Sequence, residues 1–143
     1  MSQGNVELLL EGLDAFNSGD VERIITFTDP RFEAIVPREL SAEPDTYNGH
    51  EGVRRYCETF AEAMDEIRFY AERVWESGDD LIVELLLNAT GRQTGIPVEQ
   101  RVYVIWTLYE GRALSVQAFA TLREALAGAG LPADPGAPDY ERG

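Results

Sequence analysis

Three strand-like runs, Leu81–Thr90, Val98–Tyr109 and Arg112–Thr121, follow one another between Gly78 and Thr121, and nothing else in the chain constrains its fold as strongly. Val, Ile, Trp, Tyr and Thr inside the runs suit a pleated, half-buried surface. The breaks between them, Gly91 to Pro97 and Glu110-Gly111, supply the backbone angles that hairpins need. The spacing predicts an antiparallel meander.

Upstream the periodicity changes. Val6, Leu9, Leu10, Leu13 and Phe16 recur at helical spacing from about residue 4 to 17, and a short second helix follows Asp20 with Val21, Ile24, Ile25 and Phe27 on its buried side. Ser18 or Asp20 is placed to cap that helix. Phe32, Ala34 and Val36 alternate as a short strand, and Pro37 to Asp45 reads as a loop. A third helix then carries an apolar stripe of Val53, Tyr56, Cys57, Phe60 and Met64 opposite Arg54, Glu58 and Glu62. Ile67, Phe69 and Ala71 alternate in a strand from Glu66 to Glu76, and Leu122 to Ala129 forms a closing helix. Residues 132–143 hold three of the seven prolines and almost nothing to bury, so a poorly ordered tail is expected there.

Helices at the front and a long sheet at the back define an α+β fold in which helices cover one face of a curved antiparallel sheet. The 143 residues suit one domain. A formal charge of −14 repels phosphate backbones and anionic lipid surfaces, which argues against nucleic-acid and membrane partners. No apolar run approaches the ~20 residues that span a bilayer. With a single cysteine, Cys57, and no basic N-terminal segment, a cytoplasmic location is expected. One histidine and one cysteine give no metal-ligand spacing, and no Gly-rich phosphate loop is present, so neither a metal nor another cofactor is expected.

Four segments in order carry a family resemblance: the helix ending in AFNSGDVERIITF, YNGHEGVRRY opening the third helix, WESGDDLIVEL, and VIWTLYEGRALSVQAFATLREALAGAGL. Over about residues 4 to 131 the chain resembles the SnoaL-like branch of the NTF2-like (cystatin-like) superfamily, the cone-shaped fold of ketosteroid isomerases, limonene epoxide hydrolases and polyketide cyclases. The resemblance implies one domain over 1–131, three helices covering the curved sheet, a mostly apolar pocket in the cone, and a homodimer through the sheet's outer face. Tyr103, Ile105, Leu114 and Val116 are read as the apolar residues of that outer face.

The same resemblance locates where chemistry should sit. Polyketide cyclases carry an acid near the end of the last strand, where this chain reads Phe119-Ala120-Thr121. Steroid isomerases place an aspartate before a proline after the first strand, where Val36 precedes Pro37. The limonene-type hydrolases need two aspartates bridged by an arginine, and Arg101 alone cannot activate a water. Glu84 is the carboxylate left in the middle of the sheet, and it serves as a general base only if it faces the cone. Alternation places it opposite Leu81, Val83, Leu85 and Leu87, which favours an outward position. His50 reads as an exposed first-turn residue, with a proton shuttle as the sharper alternative. Arg38 and Glu39 are candidates to gate the mouth, or simply solvated loop charges.

The expected pocket lining is Phe16, Phe32, Tyr56, Phe60, Val104, Trp106, Gln117, Phe119 and Thr121, with Trp106 equally readable as core filler and Cys57 as core packing. Such walls suit a small, neutral, hydrophobic, ring-bearing molecule. The alternatives are a cyclase, isomerase or epoxide hydrolase acting on a polyketide- or terpenoid-like substrate, and a dimeric scaffold with a filled core.

Overall fold

A computed structural model describes residues 3–36 and 45–143. Its elements run α1 (Gln3–Ser18), α2 (Val21–Thr26), β1 (Thr28–Val36), β2 (Asp45–Asn48), α3 (Gly49–Ala63), β3 (Met64–Ser77), β4 (Asp80–Gly91), β5 (Pro97–Tyr109), β6 (Arg112–Phe119), α4 (Leu122–Gly128) and β7 (Tyr140–Glu141). Among the described residues no helix is long and apolar enough to cross a membrane.

One curved seven-stranded sheet has the order β2-β1-β6-β5-β4-β3-β7. The meander expected from Gly78 onward is present: β4, β5 and β6 pair antiparallel in sequence, and β3 pairs antiparallel with β4. Glu110 and Gly111 between β5 and β6 both take positive φ, 47° and 79°, which gives a two-residue turn whose twist matches the strands. The sheet is not antiparallel throughout, because β1 lies parallel to β6. That pairing is open to β1 since the helix α3 and four further strands separate the two in sequence.

Helices α1 and α3 cover the inner face. Leu9 and Leu13 of α1 and Val53 of α3 are buried against Val74, Leu81, Val83, Leu85 and Val104 in the main core. Asp20 caps α2, its carboxylate accepting from the Arg23 N–H at 3.2 Å. At the end of α1, Asn17 bonds twice to the Phe69 backbone, its amide donating to the carbonyl at 2.9 Å and its oxygen accepting the N–H at 2.7 Å. This clamp fixes the tip of α1 over β3.

The outer face carries a second, smaller core. Ala125 and Leu126 of α4 are buried over Trp75, Ile82 and Ile105, with Phe119 packed beside them. Residues 132–143, expected to bury almost nothing, run along the edge of β3. The Asp139 N–H donates to the Val74 carbonyl and the Arg142 N–H to the Glu72 carbonyl, each at 2.8 Å, and Trp75 Nε1 donates to the Gly136 carbonyl at 3.0 Å.

A β-bulge in β6 decides which residues face inward. Thr107 pairs with Ser115 while Leu108 pairs with Ala113, so Leu114 is the extra residue. Past it the alternation is shifted by one, which moves every later side chain to the other face relative to an unbroken strand. Val116 therefore pairs with Trp106 on the inner face, whereas Gln117 pairs with Ile105 on the outer face.

Candidate functional site

Between α1, α3 and the inner face of the sheet lies a cavity of about 650 Å³, well inside the range that holds small organic molecules. Strand alternation builds its floor: Leu85 and Leu87 from β4, Val102, Val104 and Trp106 from β5, and Val116 and Ala118 from β6. Leu9, Leu13 and Phe16 of α1 and Val53, Tyr56, Cys57 and Phe60 of α3 supply the roof at three- and four-residue spacing.

A chain of edge-to-face aromatic contacts holds the roof to the sheet. Phe16 packs on Phe69 and Phe60 with centroids 5.3 and 5.9 Å apart, Phe60 on Tyr56 at 4.9 Å, and Tyr56 on Tyr47 at 4.9 Å. Each such pair is worth about 1 kcal/mol beyond the area it buries. Four elements, α1, β2, α3 and β3, are thereby held around one void.

The polar groups on the wall fall into two sets. Thr28 and Thr59 hydroxyls are spent on backbone carbonyls, those of Ile24 and Arg55. The Tyr47 and Tyr56 hydroxyls and the Trp106 indole N–H bond to no other described residue, and no fully buried side-chain nitrogen or oxygen among the described residues lacks a partner. All three residues line the cavity, and none of these polar groups is committed to another described residue. Burial pushes the Tyr56 phenol far above its ordinary range, with the neighbouring Tyr47 adding to the effect, so it stays a neutral hydrogen-bonding group. Burial also raises the Cys57 thiol, which makes it a poor nucleophile near neutral pH.

Of the lining expected from sequence, Phe16, Phe32, Tyr56, Phe60, Val104 and Trp106 surround the cavity. Gln117, Phe119 and Thr121 do not. Gln117 is exposed on the outer face, Phe119 packs in the outer core, and the Thr121 hydroxyl caps α4 by accepting the Glu124 N–H at 3.2 Å while donating to its carboxylate at 2.9 Å. The bulge at Leu114 is the physical reason for this reversal.

Glu84 faces away from the cone, where both its carboxylate oxygens accept from Arg73 across the β3–β4 pair. Arg101 is 3.7 Å from Glu72, also outside. His50 is half-buried and does not line the cavity, its Nε2–H donating to the Thr28 carbonyl at 2.9 Å. Arg38 and Glu39 lie outside the described residues. Among the lining residues that sequence reasoning missed, Glu62 and Gln100 matter most, because both are exposed and so mark the mouth. Helical spacing puts Glu62 on the polar side of α3; it reaches the cavity because α3 ends one residue later, at Ala63.

Among the described residues no cluster of His, Cys, Asp and Glu is grouped to hold a metal ion. The chain contains no lysine, so none of its side chains can form a Schiff base.

A curved α+β cone with helices over its concave face and an apolar void beneath them is the class of molecule that these features define. The chain belongs to the SnoaL-like domain family, which it matches over residues 9–116. In fold it is similar to TerC, co-crystallised with polyporic acid, at 21% identity and a TM-score of 0.74 over 90% of this chain and 97% of that one. It is similar also to a ketosteroid isomerase-like protein from Catenulispora acidiphila DSM 44928 in complex with trimethylamine, at 16% identity and a TM-score of 0.71 over 90% and 95% of the two chains. A third similar fold is SalBIII, an epoxide hydrolase/cyclase-like enzyme of salinomycin pyran ring formation, at 21% identity and a TM-score of 0.71 over 84% and 92%. No curated protein sequence matches the chain.

Proposed function

We propose that this protein binds a small, hydrophobic, ring-bearing molecule inside the cone. The observation that carries the reading is the apolar void of about 650 Å³, lined by aliphatic side chains and by aromatic ones that include Tyr47, Tyr56 and Trp106, whose polar groups bond to no other described residue. Apolar walls supply affinity by removing ligand surface from water, at roughly 25 cal/mol per Å² before the costs of association. The three ring-borne polar groups supply orientation. Two neighbours of the same fold, TerC and the Catenulispora protein, hold small molecules in their crystals, which supports the reading by analogy of fold. A void of this size speaks against a filled scaffold.

Acid–base catalysis inside the cone is less well supported. Glu84 is turned outward and bound to Arg73, and Val36 and Thr121 stand where the family's acids are expected. The carboxylate on the described wall is that of Glu62, at the exposed mouth. The two-fold dimer through the outer face belongs to the same proposal with a smaller apolar basis. Ile105 is beneath α4 and Val116 faces the void, which leaves Tyr103 and Leu114 of the four residues first expected there.

A thermal-shift panel of aromatic and terpenoid compounds tests the binding reading. A true ligand raises the melting temperature by binding the folded state alone, and Ala118→Phe, which fills the void from β6, removes the shift. A panel without a single stabilising compound, or shifts that persist unchanged in Ala118→Phe, overturns it.

A further inference from the structure

We infer that the cavity selects an amphipathic organic cation, with its ring system in the cone and a protonated amine or quaternary ammonium at the mouth beside Glu62. This inference rests on the binding reading above and names the class of ligand.

Three observations carry it. First, Glu62 is the charged residue on the described cavity wall, and none of the arginines among the described residues lines it. Second, Glu62 has no ion-pair or hydrogen-bond partner among the described residues, although other carboxylates of the molecule, Asp29, Glu72 and Glu84 among them, are held by arginines. Its charge is thus unspent at the entrance. Third, Gln100 is an exposed, uncharged polar residue of the described wall, and a glutamine carbonyl oxygen can accept from an ammonium N–H. Behind this rim the wall is largely aliphatic, with Phe16, Tyr56, Phe60 and Trp106 among the residues that bury apolar surface, and aromatic rings attract cations at their faces. The formal charge of −14 adds a long-range field of the same sign, which draws cations towards the mouth and repels anions.

An exposed carboxylate at a rim acts mainly on selectivity. A partly solvated ion pair is worth up to about 1 kcal/mol, or roughly fivefold in affinity. The body of the ligand therefore supplies most of the binding and the rim decides which head group is accepted.

Phenylbutylamine, phenylbutanol and phenylbutyrate share one hydrophobic body and differ in the charge of the head. Calorimetric titration at low salt is expected to rank the amine tightest, the alcohol about fivefold weaker, and the carboxylate weakest. Glu62→Gln should bring the amine to the affinity of the alcohol without changing the alcohol's own affinity, and its melting temperature should match the parent because Glu62 has no partner to lose. Glu58→Gln, an exposed carboxylate one turn earlier on α3 that does not line the cavity, should keep the ranking. Equal affinities for the three probes, or an equal loss of amine preference in both variants, overturns the inference and leaves the binding reading standing. Failure of all three probes together with the thermal-shift panel overturns both.

Discussion

Arg73 and Glu84 face one another across β3 and β4 on the outside of the cone, Arg73 Nε 2.9 Å from Glu84 Oε1 and Nη2 3.1 Å from Oε2, while the arginine also lies 4.8 Å over the Trp75 ring. This fork holds the largely buried mid-sheet carboxylate on the outer face of the sheet, away from any guest in the cone. Glu84→Gln removes one charge from a pair in which the arginine is partly solvated. We expect a loss of about 1 kcal/mol in stability by denaturant unfolding, with ligand affinity unchanged. Loss of affinity with stability intact would place Glu84 in the site after all.

Cys57 is the chain's single cysteine and lines the cavity, so it reports occupancy without engineering. Burial raises its thiol, so alkylation at neutral pH should be slower than that of a free thiol and should accelerate as the solution becomes alkaline. A stabilising compound should slow the labelling further. Labelling at the free-thiol rate, indifferent to such a compound, would mean that the thiol sits outside the void.

Asp29 is buried beside Arg31, whose side chain and backbone N–H both donate to it and hold its carboxyl below the usual range. A depressed folded-state value means that the stabilisation is complete above the unfolded carboxyl's value, about 3.9, and disappears as pH falls through the lowered folded value. Asp29→Asn should therefore lower the melting temperature at pH 7, and the gap from the parent should shrink as the pH is taken below 4. A gap that widens in acid contradicts this assignment.

At Gly52, α3 passes directly against the Tyr47 backbone of β2. A Cβ built there comes within 2.7 Å of the Tyr47 backbone carbonyl carbon, a contact no side-chain rotation relieves. Gly52→Ala should cost on the order of 1–3 kcal/mol despite alanine's better helix propensity. Because the strain falls on Tyr47, which packs edge-to-face against Tyr56, the same variant should weaken ligand binding. An unchanged or raised melting temperature would show that α3 has room to move.

Much of this architecture was legible from residue order because it depends on local periodicity. The apolar spacing in α1 and α3 and the alternation in β4 placed Phe16, Tyr56, Phe60 and Leu85 on the inner face, where they are, and put Glu84 outside. Alternation alone turns the last strand with the wrong face inward, because the strand contains one unpaired residue, Leu114, and a bulge leaves no apolar signature. That slip exchanged Gln117 and Phe119 for Val116 and Ala118 on the wall. The parallel pairing of β1 with β6 was hidden for another reason, since it joins segments far apart in sequence. Glu62 was missed because helical periodicity describes a helix's flanks, whereas its exposure to the cavity arises where the helix ends.

Trp106 lines the void while Trp75 lies in the outer core, so Trp75→Phe leaves a single tryptophan, on the cavity wall. Titrating that variant with phenylbutylamine should give a saturable, one-to-one change in Trp106 emission. An emission unchanged up to the probe's solubility limit, or one that drifts without saturating, would contradict a hollow, ligand-binding cone.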